Sequence, residues 1–167
     1  MVLYAQLPSI NENKTEFSHI VIGLAIDVHR ELGPGLLESA YEECLAYELK
    51  RSSIRFVRQE PVPITYKGLH LECGYRLDLL IEDRLVVELK SVDELLPILD
   101  AQVLTYMKLA NKSVGLLINF NVPVLKMGLR RSILKSTKSS AITQSPSLYF
   151  SLMLPAVAPP RTLLTSS

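Results

Sequence analysis

The 167-residue chain is 48% hydrophobic and 21% charged, enough for one buried core and too short for two full domains. Its two cysteines, Cys44 and Cys73, supply neither a disulfide framework nor a four-thiolate zinc site, and no run of 18 apolar residues offers a membrane span. A net charge of +1 gives no global field for a polyanion, and Met1-Val2-Leu3-Tyr4 lacks the basic start of a signal peptide, so a cytoplasmic, non-membrane protein is expected.

Residues 1–14 show no firm period and read as a leader. From Thr15 to Leu32, Phe17, Ile20, Val21, Leu24, Val28 and Leu32 recur at three and four and predict a helix with one apolar stripe. Gly33-Pro34-Gly35 stops it. A second helix is expected from about Leu36 to Arg51, with Leu37, Tyr41, Cys44 and Leu45 inward. Val62, Ile64 and Tyr66 then alternate as in a strand, and Lys67-Gly68 makes a turn. In the next strand Tyr75, Leu77, Leu79 and Ile81 share one face, with Arg76, Asp78 and Leu80 on the other. Leu85–Lys90 is extended again. Pro97 suits the first position of a third helix running to about Ala110. Ser113–Phe120 is continuously apolar, which suits a strand covered on both faces.

These elements predict an α/β domain with a central mixed β-sheet flanked by helices, over residues 15–131. From Ser132 the pattern weakens into a partly flexible C-terminal extension, residues 132–167, expected to be dispensable for folding of the core. Leu148–Leu154 is apolar enough for a peripheral strand or packing segment. Lys135, Lys138 and Arg161 face no acid there; phosphates would favour such a tail, but plain solvation explains it more simply.

Charged residues inside apolar strands carry the chemical information. Glu88 and Lys90 are two apart and share a face. With a three-residue Glu82-Asp83-Arg84 loop, residue 81 pairs with 85, Asp78 with Glu88 and Arg76 with Lys90. Directly opposed Cβ atoms lie roughly 4.5–5.5 Å apart. Two carboxylates so placed repel unless a proton or cation lies between them, and oxygen ligands suit Mg²⁺ or Mn²⁺ over zinc. A two-residue turn would slide Asp78 off Glu88. The competing reading is a set of solvated strand charges, Glu88 with Lys90 and Asp78 with Arg76 or an edge lysine. On these residues alone the two readings balance. Lys90 adds weight to the first, because an ammonium beside a metal-binding carboxylate can hold a phosphate oxygen or a hydroxide.

Glu38 projects beside Leu45 and Leu49, at the margin of the second helix's buried face. It is either an acid favoured by the helix dipole or a half-buried carboxylate in need of a partner. Gln102 and Tyr106 share a face of the third helix and can donate to a phosphate, or Tyr106 can serve as core. His19, His29 and His70 have no ligand-like spacing, and His29 is expected on the helix surface.

Together these residues carry a resemblance. Gly35-Leu36-Leu37-Glu38-Ser39-Ala40-Tyr41 matches the signature of the GxxExxY protein family, which is placed in the PD-(D/E)xK nuclease superfamily. Gly74-Tyr75-Arg76-Leu77-Asp78 and Val87-Glu88-Leu89-Lys90 resemble its nuclease core, with Leu77 where the superfamily has proline. Ala101-Gln102 with Tyr106 resembles the QxxxY element of RecB-like nucleases, and Gly115–Phe120 resembles the family's closing strand.

The resemblance implies a restriction-endonuclease-like core that hydrolyses DNA phosphodiester bonds with Mg²⁺, Mn²⁺ substituting. Asp78, Glu88 and the Leu89 carbonyl would hold the metal, and Glu38 would reach in as an added acidic ligand. Lys90 would orient the water and stabilise the pentavalent phosphate. Gln102 and Tyr106, with Arg76, would bind the substrate. RNA remains an alternative substrate, and a homodimer is compatible. The competing class is a nucleic-acid-binding or protein-interaction module that keeps the fold without useful catalysis.

Overall fold

In the computed structural model, which describes residues 14–71 and 75–134, two helices precede a sheet that a third helix crosses. The elements are α1 (Lys14–Leu32), α2 (Glu38–Arg51), β1 (Phe56–Pro61), β2 (Ile64–Tyr66), β3 (Leu69–Leu71), β4 (Arg76–Ile81), β5 (Leu85–Lys90), α3 (Pro97–Leu109), β6 (Val114–Asn119) and β7 (Leu129–Ile133). A 3-10 turn, Leu125–Gly128, leads into β7. The expectations for residues 1–13 and for Leu148–Leu154 lie outside the described residues.

Five strands form one sheet in the order β1-β4-β5-β6-β7. Only β5 and β6 run parallel; the other neighbours are antiparallel. The parallel pair needs a long crossover, and α3 supplies it. The two central strands are the most apolar and are buried along almost their whole length. One core, with Val21, Tyr41, Leu45, Leu79, Val87 and Ile118, lies on the α1–α2 side. The other, with Leu80, Val86, Val103, Met107 and Leu117, lies against α3. Helices therefore flank a mixed sheet, as the order of elements predicts.

Gly115 in β6 lets α3 settle closely. A Cβ there would stand 2.5 Å from the Met107 sulfur and 2.7 Å from Val103 Cγ1. On the opposite layer, Tyr41 stacks on Phe120 at 4.3 Å and donates its hydroxyl hydrogen to the Gly33 carbonyl at 2.6 Å. That bond pins the Gly33-Pro34-Gly35 connection, whose two glycines have φ of 69° and 94°.

Several local expectations are corrected. Leu37 is 77% exposed, because α2 starts only at Glu38 and Leu37 is the extended residue before it. His29 is buried at 7% exposure, where its Nε2 donates to the Val122 carbonyl at 2.8 Å. The expected Val62–Tyr66 strand begins only at Ile64, as β2, and pairs with β3 across the expected Lys67-Gly68 turn, while Val62 lies before it in the α3-side core. Leu77 leaves the face of Leu79 and Ile81 and joins the α3-side core with Val62. Opposite this part of β4, Gln59 has φ of 52°, which interrupts the regular pleat of β1 between the Arg58–Leu79 and Glu60–Leu77 pairs. The edge strands β1 and β7 were not expected. They carry Arg58, Glu60, Arg130 and Arg131, charges that protect a sheet edge and erase the apolar alternation that announces a strand.

Candidate active site

The β4–β5 hairpin sets the site. Ile81 pairs with Leu85, Leu80 with Val86 and Leu79 with Val87, so the three-residue loop holds. Glu82 and Asp83 both take positive φ, 49° and 52°, and Arg84 N–H donates to the Ile81 carbonyl at 3.1 Å. Glu82 is secured there because its carboxylate accepts the Arg55 backbone N–H and guanidinium.

The β4–β5 ladder stops at the Leu79–Val87 pair. Beyond it the Asp78 carboxylate accepts the Leu89 N–H at 2.8 Å, a side chain standing in for the next strand. Past that point β4 stays with β1, through Arg76 and Pro61, while β5 stays with β6 through Lys90 and Asn119.

Glu88 is only 3% exposed. Its Oε1 accepts Lys90 Nζ at 2.7 Å and Gln102 Nε2 at 3.0 Å. Its Oε2 is shut off from solvent and has no hydrogen-bond partner among the described residues. Burial, reinforced by the charge of Asp78, pushes the Glu88 carboxyl up to about 7, although the Lys90 hydrogen bond and charge oppose the shift. Asp78 is also raised, chiefly by burial, against the Leu89 N–H and the Lys90 charge. Burial would lower Lys90, but the hydrogen bond and charge of Glu88, with the charges of Glu38 and Asp78, hold it above the ordinary lysine value. Lys90 therefore stays protonated at neutral pH.

The third helix completes this chain of contacts. Gln102 Nε2 also donates to the Tyr106 hydroxyl at 2.9 Å. Glu38 is exposed rather than half-buried, since it is the first residue of α2. Its Oε1 accepts the N–H of Ser91, the residue after Lys90, at 3.0 Å. Ser91 Oγ donates in turn to the Leu36 carbonyl at 2.6 Å. The N-terminus of α2 is thus tied to the end of β5. Arg76 is exposed and sits across from Pro61 rather than beside Lys90, because the hairpin ladder ends before it.

Among the described residues no group of three or more His, Cys, Asp and Glu side chains is arranged to hold a metal. The structure thus joins Glu88, Lys90, Gln102 and Tyr106 by hydrogen bonds, sets the Asp78 charge where it acts on Glu88 and Lys90, and leaves Glu38 at the rim.

Three supporting residues escaped the sequence reading. Asn119 accepts the Val92 N–H at 3.0 Å and donates to the Val92 carbonyl at 2.7 Å, clamping the loop after Lys90. A polar residue closing an apolar strand was the signal for it. Glu42 is buried and accepts Arg58 Nε at 2.7 Å and Gln59 Nε2 at 2.9 Å, tying α2 to the strand opposite Asp78. Ser91 had no signal beyond its place after Lys90.

A family model of the PD-(D/E)XK nuclease superfamily matches residues 15–132. The chain belongs to this superfamily. A search of curated proteins found no match, and neither did a search of solved structures. The five-stranded mixed sheet between helices is the restriction-endonuclease-like fold of the superfamily. Superfamily members typically use divalent metals, and one feature here fits that use. The shielded Glu88 Oε2 is an acceptor that lacks a donor among the described residues, and a hard cation satisfies such an oxygen. The Leu89 carbonyl lies on the same side of β5 as its N–H, which faces Asp78. Among the described residues, no helix is long and apolar enough to cross a membrane.

Proposed function

We propose that the protein is a divalent-metal-dependent nuclease that hydrolyses DNA phosphodiester bonds. The observation that carries this reading is Glu88: a buried carboxylate with one oxygen held by Lys90 and Gln102 and the other without a donor among the described residues, on the strand beside that of Asp78. Asp78, Glu88 and the Leu89 carbonyl would hold Mg²⁺, or Mn²⁺ in its place. The bound cation supplies positive charge to the phosphate and lowers the pKa of a water molecule.

Lys90 carries the remaining chemistry. Its ammonium, fixed on Glu88, orients the attacking water and donates to a phosphate oxygen as charge builds there. Water adds to phosphorus in line, the bond to the 3′-oxygen breaks, and the products are a 5′-phosphate and a 3′-hydroxyl. Gln102 and Tyr106 steady the substrate backbone, and exposed Arg76 meets a flanking phosphate. Glu38 acts from the rim, where its negative charge bears on Glu88 and Lys90 and its carboxylate fixes Ser91. The GxxExxY signature and the Gln102–Tyr106 pair support assignment to the RecB-like branch.

Calorimetric Mn²⁺ binding and DNA cleavage, measured on wild type, Lys90→Ala and Asp78→Ala, test the reading. Wild type should cleave with Mg²⁺ or Mn²⁺ and not with EDTA, while Ca²⁺ supports binding better than turnover. Lys90→Ala should keep the metal and lose about 10²–10³-fold in kcat. Asp78→Ala should lose both. Equal activity in all three proteins overturns catalysis at this site and favours a nucleic-acid-binding module.

A further inference from the structure

Against the Gln102 and Tyr106 side chains lies a groove of about 440 Å³ whose lining, among the described residues, has no charged side chain. Tyr75, Ile98, Leu99, Gln102, Thr105 and Tyr106 contribute to it. Gln102 and Tyr106 also form the hydrogen-bond chain that reaches Glu88, so the groove and the proposed active site share two side chains. The Tyr75 ring stands edge-on to Tyr106, with centroids 6.3 Å apart at 62°, and Tyr75 is 48% exposed. Ile98 is 68% exposed on the same groove. The Tyr75 backbone is fixed, since its carbonyl accepts the Val62 N–H at 2.9 Å.

This lining suits one part of a nucleotide and excludes another. A phosphate needs cationic or clustered N–H donors, and among the described residues the groove lining carries no cation. A nucleobase needs a flat apolar face to stack on and a few polar groups at its edge. The Tyr75 ring and the Ile98 and Leu99 side chains provide the face, and the Gln102 amide and Thr105 hydroxyl provide the polar groups. A base hangs one sugar away from its phosphate, and Gln102 and Tyr106 belong both to the groove and to the hydrogen-bond chain that ends at Glu88. We infer that the groove receives an unpaired base of the nucleotide adjoining the scissile phosphate, so that the enzyme selects single-stranded or frayed DNA over intact duplex. A paired base is already stacked on both faces and must leave the helix to reach Tyr75. The inference rests on the nuclease reading and deepens it by naming the substrate class.

The test compares kcat/KM on a single-stranded oligonucleotide, the same sequence as a duplex, and a single strand with an abasic residue beside the cleaved bond. Wild type should favour the single strand, and Tyr75→Ala should lower the single-strand to duplex ratio about tenfold, the loss arising in KM. Tyr75→Trp should restore the ratio. The abasic strand should be cleaved as poorly by wild type as the intact strand is by Tyr75→Ala, with little further loss when the two changes are combined. Ile98→Ala, changed only at an exposed side chain, should lower the ratio in the same sense and guards against a folding defect in the tyrosine variant. An unchanged ratio in both variants, or indifference to the abasic residue, overturns the base groove while leaving nuclease activity standing. Cleavage of neither substrate by wild type overturns the nuclease reading instead. Fluorescence anisotropy with the same oligonucleotides then decides the groove: single-strand affinity that falls about tenfold in Tyr75→Ala upholds it, and affinity indifferent to Tyr75 removes it.

Discussion

At the turn end of the β4–β5 hairpin, Leu79, Leu80 and Ile81 face Val87, Val86 and Leu85 in an unbroken ladder, every one of them buried. One residue further along, the same two strands present Asp78 and Glu88, and the ladder gives way to a side-chain acceptor on Leu89 N–H. The turn end gains free energy from apolar burial. The open end spends some of it, because a carboxylate held away from water without a full set of donors destabilises the fold. Its chemistry depends on what the turn end holds rigid. Neighbouring residues of one strand should therefore fail in opposite ways.

The largest contrast is between Asp78→Ala and Leu79→Ala. The first should lower cleavage by at least about 10³-fold and remove Mn²⁺ binding. The second should destabilise by about 2–5 kcal/mol, seen as a lower urea midpoint, while the protein that remains folded binds Mn²⁺ normally. If Leu79→Ala lost metal affinity at native conditions, or Asp78→Ala cost as much stability as Leu79→Ala, the two ends would not be separable.

The same contrast explains what the sequence made legible. The apolar runs Leu85–Leu89 and Val114–Phe120 marked the central strands, and of the two turns the sequence allowed, the three-residue loop is the one that pairs Ile81 with Leu85. The expected pairing of Asp78 with Glu88 is absent, because the ladder ends at Leu79–Val87 and Asp78 accepts the Leu89 N–H instead. The match to the superfamily covers the stretch that the motifs spanned. What stayed hidden depends on contacts between distant segments. His29 looked like a helix-surface residue until Val122 arrived from 93 positions away. Glu38 looked half-buried by helical projection, but that projection assumed that α2 began before it. The edge strands β1 and β7 are polar because they are edges, so no alternation marked them. Glu42 and Asn119 hold segments together through side-chain bonds that no periodicity reports.

Between the layers, Gly115→Ala offers the next largest effect. The added methyl meets Met107 and Val103 well inside contact distance, so α3 must shift away from β6. Overpacking of this kind costs about 1–3 kcal/mol. Because α3 carries Gln102 and Tyr106 to the site, kcat should fall as well. A variant that melts lower yet cleaves at the wild-type rate would show that the position of α3 is not critical.

The open end should also leave a signature in pH. Glu88 titrates near 7 in the folded protein against an ordinary 4.5, so between those values folding retains a proton that the unfolded chain has released. Stability is then greatest below that window and declines as pH rises through it. The full shift corresponds to about 3 kcal/mol, and coupling to Asp78 and Lys90 reduces the expected change to about 1–2 kcal/mol. The metal-free protein should melt lower at pH 8 than at pH 5, and Glu88→Gln should flatten the slope. Saturating Mn²⁺ should raise the melting temperature most at pH 8, where both carboxylates are free to bind it. A melting temperature that rises from pH 5 to 8 would contradict the burial of Glu88.

The smallest effect concerns Gln102, which touches both the carboxylate and the Tyr106 hydroxyl. Gln102→Ala removes one of two donors from Glu88 Oε1 and leaves the Lys90 ammonium in place. A neutral donor on a charged acceptor contributes about 1–2 kcal/mol, so kcat/KM should fall roughly tenfold, far less than for Asp78→Ala. The lost hydrogen bond had favoured the ionised form of Glu88, so the acidic limb of the pH–rate profile should move to higher pH. Gln102→Glu sharpens the point. It places a second carboxyl against Glu88, which should raise that limb further and weaken Mn²⁺ affinity at pH 7 through like-charge repulsion in a buried site. If both variants kept the wild-type limb, Gln102 would be acting on the substrate alone, and the chain from Tyr106 to Glu88 would be a contact without influence on the carboxylate.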